Sequence, residues 1–80
     1  MEVYLYVDYR DYDGEIKFST PEVYATKEAA EQRYNNAVCE IQENINEEEP
    51  IEEMRDDGDF FIFNSDWKYI CLYYKKVQVK

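Results

Sequence analysis

The sequence predicts one α+β domain spanning residues 1–80. It should be a two-layer sandwich in the order β-β-α-β-β, an antiparallel four-stranded sheet with one long helix on one face. Three observations predict it. "EVYLYVDY" alternates, with Val3, Leu5 and Val7 pointing one way and Tyr4, Tyr6 and Asp8 the other. Asp13-Gly14 stands between two strand-like stretches, a strong hairpin signal. After Thr26, the residues Ala30, Tyr34, Ala37, Val38, Ile41 and Ile45 recur at spacings of three and four, an apolar helical face.

Each element has a local reason. The first strand is rich in β-branched and aromatic residues. "EIKFST" returns from the Asp13-Gly14 turn with Ile16 and Phe18 facing in, until Pro21 interrupts it. "EVYA" extends that strand or edges the sheet. Thr26 is a good N-cap, and Glu28 and Glu31 favour the positive end of the helix dipole. The helix should run from Lys27 to about Glu48. Pro50 ends it or opens a short extra turn in which Ile51 and Met54 cap the core. "FFIF" is a short strand, "NSD" a tight turn, and "WKYICLYYKKVQVK" a long final strand. Val77 and Val79 have the opposite parity to Ile70 and Leu72, which predicts a bulge near Tyr74–Lys76. Under the helix the pattern places Val3, Leu5, Val7, Ile16, Phe18, Phe61, Phe63, Ile70 and Leu72.

Composition excludes several functions. The chain has no histidine, so the usual general base, catalytic triads and most zinc sites are missing. Cys39 and Cys71 form no CxxC pair and read as small apolar residues. There is no glycine-rich phosphate loop. "DYRDYDGE" is not a calcium loop: Tyr9 and Thr20 would fall at positions that need carboxylates. No enzyme, no cofactor and no metal are expected. No signal peptide and no run of ~20 apolar residues are visible, which predicts a soluble cytoplasmic protein without membrane contact.

Two features carry a functional expectation. In residues 47–59, eight carboxylates oppose Arg55 alone, so this stretch holds seven of the chain's ten net negative charges. Glu40, Glu43 and Glu47 would form a stripe on the polar side of the helix, and Glu48, Glu49, Glu52, Glu53, Asp56, Asp57 and Asp59 would continue it. Neither placement aids folding, because like charges at such spacing and acids at a helix C-terminus are both unfavourable. A row of negative charge suits the basic, nucleic-acid-binding groove of a protein partner. The second feature is aromatic. Tyr4, Tyr6, Tyr69 and Tyr73 are expected on the sheet face away from the helix, as a dimer or partner surface. With nineteen acids against nine bases, direct nucleic-acid binding is not expected.

"PEVYATKEAAEQRY" resembles the strand-to-helix step of many small bacterial and phage proteins. The whole chain resembles small phage-encoded inhibitors of host defence, such as anti-CRISPR proteins, in being short, acidic and aromatic-rich. That resemblance is one of size and charge, and no functional residue carries over from it. It implies a non-catalytic DNA mimic acting in the cytoplasm of a host cell. The rival expectation is a structural or assembly module that self-associates through its tyrosine face, the acids only keeping it soluble.

Overall fold

In the computed structural model, residues 1–18, 21–45 and 51–79 are described, the side chain of Phe18 excepted. Six strands and one helix follow in the order β1 (Glu2–Tyr12), β2 (Glu15–Phe18), β3 (Glu22–Tyr24), α1 (Lys27–Glu43), β4 (Ile51–Asp56), β5 (Phe60–Ser65) and β6 (Lys68–Gln78). All pair antiparallel in one sheet of order β2-β1-β6-β5-β4, and β3 also pairs with β1. The expected four-stranded sheet is therefore corrected to six strands. One addition is small: β2 and β3 lie along successive parts of the same edge of β1, on either side of the break that contains Pro21. The other is β4. Its residues were expected to form a helical turn and a loop, with Ile51 and Met54 over the core. They form an edge strand instead, and Ile51 and Met54 are exposed.

Local chemistry explains the rest. Asp13 and Gly14 both take positive φ (53° and 83°), as a two-residue type I′ hairpin turn requires. The Asp11 carboxylate accepts from the Gly14 amide at 3.0 Å and steadies the turn. Thr26 caps α1, its Oγ1 accepting from the Ala29 amide at 3.2 Å. The helix stops earlier than about Glu48. Asn44 caps it, and its side-chain amide donates to the Glu40 carbonyl at 2.9 Å. No basic residue in the last turn answers the dipole there.

The core lies between α1 and one sheet face. Ala30, Tyr34, Ala37, Val38 and Ile41 meet Tyr6, Phe61, Phe63, Ile70 and Leu72. The parity of β5 and β6 is as expected, but that of β1 is inverted. Tyr6 is 1% exposed in the core, whereas Val3, Leu5 and Val7 line the other face with Ile16, itself 61% exposed. Ala30, Tyr34 and Ala37 on one face of α1 are fully buried, and so is Tyr6 of β1. Both hydroxyls find partners: Tyr6 donates to Asp8 at 3.3 Å and Tyr34 to Asp56 at 2.6 Å. Arg10 then holds Asp8 by two bonds at 2.9 and 3.0 Å, so the carboxylate is buried but paired. The inversion also removes the need for the expected bulge near Tyr74–Lys76. The β1–β6 register is unbroken from Glu2↔Gln78 to Tyr12↔Lys68, and Val77 simply faces Val3 on the far side.

Candidate binding surfaces

The acidic residues do not form one ridge. Glu40 and Glu43 stand on the last turns of α1. Glu40 lines a groove of about 370 Å³ with Arg10, Tyr12, Trp67 and Lys68. Glu43 is exposed and accepts from the Cys39 thiol at 3.5 Å, which pushes that thiol's pKa up. Cys39 is exposed, not a core residue. Glu52, Glu53 and Asp56 belong to β4, all six of whose residues are exposed. Asp57 and Asp59 flank Gly58 in the β4–β5 turn, where φ of 91° favours glycine. Glu47, Glu48 and Glu49 lie outside the described residues.

Several of these acids are already engaged. Asp56 accepts from the Tyr34 hydroxyl and from the Gly58 amide at 3.0 Å, so it anchors α1 and closes the turn. Arg55 pairs with Asp57 at 3.0 Å. Asp57 and Asp59 share a shallow depression with Glu31, and Lys27, Lys75 and Lys76 enter the same depression. Of the acids on α1, Glu40 faces a groove that Arg10 and Lys68 also line, and Glu43 is exposed at the helix end; Glu53 lies opposite Asn64 on the sheet face away from α1.

The second surface is the sheet face away from α1. Strand parity brings Val3, Leu5, Val7 and Tyr9 of β1 beside Tyr69, Cys71, Tyr73 and Val77 of β6, with Phe60 and Ile62 of β5 next to them. Tyr9 meets Tyr69 edge-on at 6.0 Å between centroids, and Phe60 stacks on Tyr73 at 6.5 Å. Burial among these rings raises the pKa of the Cys71 thiol and of the Tyr69 hydroxyl. Of the four tyrosines expected here, Tyr69 and Tyr73 are present. Tyr4 and Tyr6 are on the helix side, because β1 is inverted, and Tyr9 with Phe60 takes their place. The Phe60–Tyr73 stack follows from the β5–β6 hairpin register, whereas Tyr9 meets Tyr69 across β1 and β6, which no single turn joins.

The two surfaces differ in charge. The strand side chains whose parity puts them on the open face include two acids, Asp11 and Glu53, and two bases, Arg55 and Lys75. These four cancel, whereas the chain carries −10; Glu52 sits at the register shift between Ile51 and Glu53 and has no register partner. Buried polar groups offer no idle chemistry: among the described residues, every buried side-chain nitrogen and oxygen has a hydrogen-bond partner. Nor do the described residues contain a group of three or more carboxylates or thiols arranged to hold a metal. No described helix is long and apolar enough to cross a membrane. The chain matches no protein-family model, no curated protein and no solved structure.

Proposed function

We propose that this chain is a non-catalytic acidic binding protein that seats its charged side against a basic, nucleic-acid-binding surface of a protein partner. The observation that supports the reading is the segregation of charge. The paired charges of the open sheet face cancel, and among the described residues the net negative charge lies mainly in the turns and on α1. Glu40 and Glu43, on α1 and away from the open face, are held by regular backbone and need no ordering on contact. A phage inhibitor of host defence that stands in for DNA is the concrete form of this reading, and the cytoplasm of the host cell its place of action.

The test uses partners captured from a host lysate. Capture is repeated with the double variant Glu40→Gln, Glu43→Gln, and again with competing duplex DNA. The variant should keep its fold and bind the captured protein at least ~10 times more weakly, about 1.4 kcal/mol. Its affinity should also fall less steeply with salt. Partners that neither the variant nor the DNA displaces would sink the reading.

A further inference from the structure

A sheet face that turns aromatic and aliphatic side chains away from α1 is not a finished surface. We propose that it is the seat of a second copy of this chain, packed face to face as a symmetric dimer. The inference rests on the open face and not on the acids.

Size is the first argument. β1 and β6 have eleven residues each and pair along their whole length. At ~3.3 Å per residue and ~4.8 Å per strand, they and the shorter strands beside them present roughly 650 Å² in plan. Side-chain relief adds to that figure. A specific dimer removes ~600–1,000 Å² from each partner, so one copy is large enough to cover the face.

Charge is the second argument, and it selects the occupant. A chain of net charge −10 should repel its own copy. Here the like charges need not meet, because the four charges that the register places on the open face cancel. Its charged groups also stand at the rim. Asp11 and Glu53 lie at one end, Arg55 on the edge strand, and Lys75 where β6 runs past the start of β5. The centre holds Val7, Tyr9, Ile62, Cys71 and Tyr73, all uncharged. An apolar, aromatic centre with a sparse charged rim is the anatomy of a protein interface. Two such faces can meet at the ~10 Å spacing of stacked sheets while α1 and its acids point outward on both sides.

Sedimentation of the full chain from micromolar to near-millimolar concentration tests this. Wild type should approach twice its 9.7 kDa, and added salt should tighten the dimer by screening the remaining repulsion. Ile62→Lys and Tyr73→Lys should each raise the dimer dissociation constant by roughly tenfold or more, with circular dichroism unchanged. If those variants fail to fold, the wild type still answers through its two thiols. Alkylation of Cys71, on the open face, should slow as protein concentration rises, while that of Cys39, exposed on α1, should not. A wild-type chain that stays monomeric throughout would overturn the proposal and leave the face to a different protein. So would a dimer in which Cys71 remains as reactive as in the monomer, or which folded lysine variants do not weaken.

Discussion

The two sides of the sheet are built from similar residues and used differently. Phe60 and Phe61 are neighbours in β5. Phe61 is fully buried under α1, whereas Phe60 is half-buried against Tyr73. On the helix side, rings are enclosed and their polar ends are satisfied: Tyr6 by Asp8, Tyr34 by Asp56. On the open side, rings lean on one another and wait for a cover. The difference teaches that aromatic content alone does not mark an interface. What marks it is whether the structure supplies the second layer.

The largest expected effect breaks that comparison directly. Phe61→Ala empties a fully enclosed site and should cost ~3–5 kcal/mol in urea unfolding. Phe60→Ala loses one stacked neighbour and a part-covered ring, so ~1–2 kcal/mol is expected under conditions where the chain is monomeric. Equal losses at low protein concentration would mean that both faces are core and that the open face is already closed.

A smaller, graded effect should follow pH. Burial, followed by hydrogen bonding to and the charge of a neighbouring carboxylate, pushes the Tyr34 hydroxyl well above the usual tyrosine range; burial and the charge of Asp8 do the same for Tyr6. The neutral forms are therefore favoured by folding. Their contribution is complete below the unfolded value of 10.0. Above it the unfolded chain releases protons that the folded chain keeps, so stability should fall as pH rises past 10. Tyr34→Phe removes one of the two groups and should flatten the alkaline limb, measured as urea midpoint against pH. An unchanged limb would mean that the hydroxyl is not enclosed.

How far the sequence reveals this arrangement depends on how local each cause is. The Asp13-Gly14 turn, the Thr26 cap and the helix face from Ala30 to Ile41 are legible because each is decided within a few residues. The parity of β1 is not. Val3, Leu5 and Val7 are apolar, but Tyr4 and Tyr6 offer as much area, and only Asp8 with Arg10 makes the tyrosine side habitable inside. The strand β4 is hidden for a different reason. Ile51 and Met54 are three apart and read as a helical turn. A register shift between Ile51 and Glu53 lets both face the same side of a strand, opposite Ser65 and Phe63. The acidic residues were visible as a count, but their division between α1, β4 and the Asp57–Asp59 turn follows from where the helix ends. That end is set by Asn44, which reads equally well as a residue of the helix interior.

The smallest expected effect concerns the charged side. Glu40 and Glu43 are three apart near the C-terminus of α1, where no base answers them. Replacing both with Gln removes one like-charge pair, worth ~0.2–0.5 kcal/mol, and two acids from the negative end of the dipole, worth ~0.3–1 kcal/mol each at most. The variant should therefore be slightly more stable than the parent at low salt, and the gain should shrink as salt screens both terms. Glu43→Gln has a local readout as well. The carboxylate accepts from the Cys39 thiol and raises its pKa, so its loss should bring the thiol down and speed alkylation of Cys39 at neutral pH while leaving Cys71 unchanged. On the open face the same salt should act in the opposite sense, tightening the dimer that the proposal predicts. A double variant less stable than the parent at low salt would show that these acids hold the helix end together. They would then be structural residues, and the charged side would lose its claim to a partner.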